Sequence, residues 1–126
     1  MAKEILLIND NNDEFEIFKE ALYSVDKTVQ FKQVKNSTEA AEFLKLRSPE
    51  YIFIDFDAHA IKDPEFFSEI KRLSTHKKSK VILFANDLNE KKMYEYADDP
   101  AIFRFFKKPR MINVLARKLE DILNSE

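Results

Sequence analysis

The chain has 126 residues, long enough for one domain with a real core, and its 44% hydrophobic and 35% charged content is the balance of a globular protein. A formal net charge of -2 gives no broad attraction to nucleic acid or to an anionic membrane, and the absence of cysteine excludes disulfides, thiol catalysis and Cys-ligated metal. Glycine is also absent, so a Gly-rich phosphate loop and a dinucleotide fingerprint are ruled out, and any turn needing φ > 0 is expected to fall on Asn or Asp.

The amino terminus runs directly into an apolar stretch, Glu4-Ile5-Leu6-Leu7-Ile8-Asn9-Asp10, read as a first strand ending in an acid. No signal peptide and no apolar run of membrane-spanning length is seen, which makes the cytoplasm the expected location. Phe15, Phe18, Leu22 and Val25 then recur at helical spacing behind two candidate N-caps, Asn11 and Asn12. Residues 28–34 alternate Val29, Phe31 and Gln33 against Gln30 and Lys32, the pattern of a half-buried strand. Asn36 and Glu39 have capping-box spacing before a helix carrying Ala40, Phe43 and Leu44.

Tyr51-Ile52-Phe53-Ile54-Asp55 is an apolar, β-branched run of the kind buried on both faces, and it also ends in a carboxylate. Asp63-Pro64-Glu65 supplies an N-cap, a proline at the first helical position and a first-turn acid for a helix that buries Phe66, Ile70 and Leu73. Val81-Ile82-Leu83-Phe84-Ala85 reads as a fourth strand. Asp87 and Glu90 then cap a helix over 88–97 with Leu88, Tyr94 and Ala97. A fifth strand at 102–106 leads to Lys107-Lys108-Pro109 and a last helix with Met111, Leu115, Leu119 and Ile122 on one face.

Strands alternating with helices through short links imply an α/β fold, a doubly wound parallel sheet with helices on both faces. Right-handed crossovers and this size favour the flavodoxin-like (βα)5 arrangement with strand order 2-1-3-4-5, as a single domain over 1–126 with no output domain. In such sheets ligands collect at the carboxyl ends of the strands. Asp10, Asp55 and a lysine from Lys107-Lys108 would meet there. Strand parity alone does not choose between the two lysines.

With those residues in place, the chain resembles bacterial response-regulator receiver domains, of the single-domain, chemotaxis-regulator type. The resemblance spans essentially the whole sequence. It implies that Asp55 is a phosphoacceptor, that Lys108, next to Pro109, is the lysine of the site, and that the Lys-Pro bond is cis and aims that lysine inward. It further implies a Mg2+ ion held by Asp10, Asp55 and the backbone carbonyl of Asp57, with Asn9 acting weakly through water. Ala85 stands where the family has Thr or Ser, and Phe105 stands at the switch aromatic.

The chemistry agrees with this transfer. A carboxylate accepts a phosphoryl group covalently, and cations with positioning supply most of the catalysis. Hard oxygen donors suit magnesium. The departures weaken the expected readout: Asn9 removes an acid, Ala85 removes the hydroxyl that would bond the phosphoryl group, and Phe105 lacks a hydroxyl. The residues after the acceptor, 56–61, lack the family's proline and glycine.

The implied function is a stand-alone receiver that takes its phosphoryl group from a histidine kinase or phosphotransfer protein. Its output is contact with a downstream protein through the helix at 88–97, the fifth strand and the last helix, with no role for nucleic acid or membrane. A degenerate receiver that binds its partner without phosphorylation is the nearest alternative. A phosphatase of the haloacid-dehalogenase type, using the Asp55-Phe56-Asp57 spacing, is the distant one: that motif usually ends the first core strand, and no cap-sized insertion is present. Beyond such self-phosphorylation no enzymatic turnover is expected. His59 and His76 have no metal-ligand spacing and read as surface residues.

Overall fold

The computed structural model describes residues 3–57, 64–86 and 99–125. His59, Asp63, the Asp87/Glu90 capping box and the helix expected over 88–97 lie outside them, as does the side chain of His76. In chain order the described elements are β1 (Glu4–Ile8), α1 (Asn12–Val25), β2 (Gln30–Val34), α2 (Ser37–Leu46), β3 (Tyr51–Asp55), α3 (Pro64–Lys77), β4 (Lys80–Ala85), β5 (Ile102–Lys107) and α4 (Ile112–Leu123).

The five strands form one parallel sheet in the order β2-β1-β3-β4-β5, as the alternating pattern predicts. The central strands are apolar on both faces because helices cover both. Ile5, Leu7, Phe53, Ile82 and Phe84 pack with α1 and α4, while Leu6, Ile8, Ile52, Ile54 and Leu83 pack with α2 and α3. The first of these layers is rich in aromatic contacts. Phe18 meets Phe53 edge-on at 5.1 Å between centroids, and Phe84 stacks on Phe106 at 5.6 Å.

The helix starts follow local chemistry. Asn11 caps α1 by accepting from Glu14 N, and Asn36 caps α2 by accepting from Glu39 N. The Glu39 carboxylate turns back to Lys35 N rather than to the cap residue, a one-residue variant of the expected box.

Three expectations are corrected. Met111 is the N-cap of α4 and exposed, so the buried face is Leu115, Leu119 and Ile122 with Leu123. The Lys108–Pro109 bond is trans. Among the described residues the left-handed turn residue is neither Asn nor Asp but Lys78, at φ 60. It closes α3 with the paired bonds Lys78 N to Thr75 O and Ser79 N to Ser74 O, a C-terminal motif that normally uses glycine.

Candidate functional site

Asp55 closes β3 in register with Phe84 of β4, and β3 also runs beside β1, so Asp55 stands at the carboxyl edge in the middle of the sheet. Its side chain is 2% exposed. Lys108 reaches it from the other side of β4. The Lys108 N–H donates to Ala85 O at 2.7 Å, which extends the β4–β5 ladder by one residue and fixes the direction of the side chain. That side chain is 10% exposed and lies over the Phe84 ring, 5.3 Å from its centroid. Lys107, one residue earlier, is exposed. A trans peptide at Pro109 is therefore compatible with an inward Lys108, because the backbone bond to β4 does the aiming.

The Lys108 ammonium is the hub of the cluster. It contacts Asp55 Oδ1 at 2.9 Å, Asp57 Oδ2 at 3.0 Å, and both oxygens of Glu14 at 2.9 and 3.0 Å. Asp55 Oδ1 also accepts from Asp57 N at 2.9 Å, and Asp57 Oδ2 accepts from Asn86 N at 2.9 Å. These two bonds tie the loops after β3 and β4 to one carboxylate pair. Glu14 is the residue that sequence reasoning missed. It sits in the first turn of α1, where an acid is explained by the cap and the helix dipole alone. Only the fold brings it to a lysine 94 positions away.

Three carboxylates around one ammonium leave negative charge unbalanced. Burial pushes the Asp55 carboxyl up to about 6; the bonds from Lys108 and Asp57 N pull it down, and the Glu14 carboxylate raises it again. Burial opposes the Lys108 charge, but its bonds to Asp55 and Glu14 outweigh that and hold the ammonium above its ordinary value. At neutral pH Asp55 is mostly ionised.

Asp10 follows Asn9 at the end of β1, on the same edge, and is exposed. Asn9 is buried and engaged sideways: its Oδ1 accepts from Gln33 Nε2 of β2 at 2.7 Å, and its Nδ2 reaches Asn11 O at 3.4 Å. Gln33 is a second residue missed as a participant, read only as part of an alternating strand. Ala85, at the end of β4, is buried and contributes no hydroxyl. Phe105 is 40% exposed.

Among the described residues no three acids or histidines are grouped as a ready-made metal cage. The donor chemistry nevertheless suits a hard cation. Among the described residues, both bonds made to the Asp55 carboxylate fall on Oδ1. With Asp10 exposed on the same edge and three carboxylates around one ammonium, the edge offers hard oxygens and a negative field of the kind that suits a divalent ion.

No protein-family model and no curated protein matches the sequence. Solved structures do match it. The phosphorylated cyanobacterial phytochrome response regulator superposes with a TM-score of 0.80 at 22% identity, over 97% of this chain and 91% of that one. A response regulator from Thermotoga maritima gives 0.78 at 18% identity, over 99% and 100% of the two chains. The chain has the receiver fold.

A third receiver, from a sensor histidine kinase of Pseudomonas aeruginosa, carries a magnesium ion coordinated in its active-site cleft and matches with a TM-score of 0.75 at 17% identity, over 99% of this chain and 100% of that one. Within this receiver fold, the cluster of Asp55, Asp57, Lys108 and Glu14 occupies the carboxyl edge of the sheet. No helix among the described residues is long and apolar enough to cross a membrane.

Proposed function

We propose that the chain is a receiver that accepts a phosphoryl group on Asp55 from a histidine kinase or phosphotransfer protein. The observation that carries this reading is the buried Asp55 carboxylate, paired with Lys108 at 2.9 Å at the end of a core strand. Simple strand-end capping does not require a buried lysine crossing from β5. In the step, a carboxylate oxygen of Asp55 attacks phosphorus. The bond from phosphorus to the donor's nitrogen or oxygen breaks, and the leaving group keeps the electron pair.

Lys108 stabilises charge on the phosphoryl oxygens. Asp10, Asp55 and the Asp57 carbonyl are the residues that would hold Mg2+, which when bound neutralises charge on the transferring group. Asn9, tied to Gln33, supplies a neutral amide where an acid would strengthen that site. A protein donor has a surface to bury beside the cleft, since Ile17, Met111 and Ile112 are exposed there. We place the receiver in the cytoplasm, with output by contact with a downstream protein through the region 88–97, Phe105 and α4.

A second reading has a specific observation in its favour. Ala85 has no hydroxyl with which to draw the loop after β4 toward a phosphoryl group, so the chain would serve as a binding module whose surface ignores phosphorylation. A haloacid-dehalogenase-type phosphatase is not favoured, because the Asp57 carboxylate is held by Lys108 and Asn86 N rather than open to a leaving group.

Acetyl phosphate with magnesium, followed by mass mapping, tests the first reading: one adduct on Asp55 is expected. Amide shifts at Phe105 on adding beryllofluoride separate the two readings. Large shifts support a switch, and shifts confined to residues 10, 55–57 and 108 support the binding module. Turnover of a generic phosphate ester would instead require the phosphatase.

A further inference from the structure

We infer that Glu14 is a built-in competitor for the phosphoryl site, holding Lys108 in the place a phosphoryl oxygen must take. The inference rests on Asp55 being the acceptor, and it concerns a residue that the resemblance to receivers does not assign.

A lysine ammonium has three donor hydrogens. Here four carboxylate oxygens from three residues lie within 3.0 Å of it, so no donor is left for an incoming anion. One carboxylate must leave before Lys108 can bond a phosphoryl oxygen. Asp55 is the nucleophile itself. Asp57 is anchored by Asn86 N and by its own N–H on Asp55. Glu14 has no such tether: its carboxylate hydrogen-bonds only Lys108 among the described residues, and its side chain is 32% exposed. It also has somewhere to go. A cavity of about 150 Å3 between α1 and the start of α4 is lined by Glu14 and Lys108 together with Ile17 and Met111.

The competition has two parts. Glu14 takes the donors, and its charge repels an anion approaching Asp55. Glu14→Gln keeps size and shape, removes the charge, and replaces two charged acceptor oxygens with one neutral amide oxygen, so the repulsion vanishes and the hold on Lys108 weakens. The wild-type site is thus biased against small anionic donors, and a donor protein that draws the Glu14 carboxylate aside would relieve the block.

The test uses the full chain as wild type, Glu14→Gln, Glu14→Asp and Asp55→Asn, with thermal melts to verify folding. Beryllofluoride with magnesium is titrated against each, read from the amides of Asn86 and Lys108. Initial labelling by acetyl phosphate is followed by mass. A metal-free titration with inorganic phosphate isolates the anion site. Glu14→Gln is expected to bind beryllofluoride on the order of tenfold more tightly, matching the loss of one charge-assisted competitor, and to label faster. It should respond to phosphate at concentrations where wild type does not. Glu14→Asp should restore part of the block.

Equal or weaker beryllofluoride affinity in Glu14→Gln, with wild type still labelled on Asp55, overturns the inference and leaves the phosphoacceptor reading standing. Absence of any Asp55 adduct in both wild type and Glu14→Gln overturns that reading, and the inference with it.

Discussion

Both edges of the sheet place lysines over aromatic rings, and they do opposite things with them. At the amino edge, Lys80 lies 4.8 Å from the Phe103 ring centroid and 5.5 Å from that of Tyr51, and Lys3 lies 5.8 Å from Tyr51. Their acceptors are backbone carbonyls of the C-terminal segment: Lys3 Nζ donates to Leu123 O at 2.8 Å and Lys80 Nζ to Ser125 O at 3.4 Å. At the carboxyl edge, Lys108 lies over Phe84 but its acceptors are three carboxylates. The amino edge is a clasp that fastens the end of α4 to the sheet, and its lysine hydrogen bonds among the described residues go to neutral carbonyls. The carboxyl edge crowds like charges around one cation, and crowded charge that does not serve stability is a mark of a site.

The largest expected effect comes from removing the hub. Lys108→Met keeps the apolar stem over Phe84 but leaves three carboxylates without their cation, one of them buried. We expect a loss of about 3 kcal/mol at pH 7, the cost of breaking a buried pair. Denaturant titration at pH 7 and pH 4.5 checks this: much of the loss should disappear at the lower pH, where Asp55 takes a proton. A loss under about 1 kcal/mol at pH 7 would make Lys108 no more than a second clasp.

Asp55→Asn should act in the opposite direction. In the unfolded chain Asp55 ionises near its ordinary value of 3.8, and in the folded chain at about 6. The folded state therefore binds this proton more tightly, so ionising Asp55 removes stability as pH rises from about 4 to about 6, and the deficit persists above that. The difference is worth on the order of 3 kcal/mol at most. In metal-free buffer Asp55→Asn should be more stable than wild type at pH 7 by about 1–3 kcal/mol, and the gap should close as pH falls through 6 to 4. A gap that does not change with pH would mean that charge at Asp55 is not its source.

Much of the carboxyl edge is legible in the amino-acid sequence. The runs ending in Asp10 and Asp55 are apolar on both faces, which marks central parallel strands and puts their ends together. The caps at Asn11 and Asn36 follow from spacing alone. Three features are not legible there. Glu14 has a sufficient local explanation as a first-turn acid, so nothing in the sequence points it at residue 108. Asn9 bonds Gln33 across a strand pair whose register is set by tertiary pairing. The parity of β5 is ambiguous because its pairing with β4 shifts between Val81 and Ile82, where Ile102 and Arg104 are the successive partners. That extra residue decides which lysine faces inward, and a period-2 pattern does not register it.

Two smaller effects belong to the amino edge and sharpen the contrast. Lys80→Met removes contacts to two rings and one carbonyl, and should cost about 1 kcal/mol at any pH between 4 and 8 while leaving labelling at Asp55 unchanged. A pH-dependent cost, or altered labelling, would show the two edges to be coupled. Lys78→Gly relieves the left-handed φ at the end of α3 and should gain up to about 1 kcal/mol in thermal or denaturant melts. A loss would show that the Lys78 side chain contributes more than its backbone strain costs.

The most direct test of the central claim, that the carboxyl edge is a phosphoryl-accepting site centred on Asp55, is peptide mapping after incubation with acetyl phosphate and magnesium, wild type beside Asp55→Asn. A single phosphoryl adduct on the peptide containing Asp55, and none in the variant, is the expected result. An adduct of equal yield in Asp55→Asn, or one mapped in wild type to another residue, would contradict it.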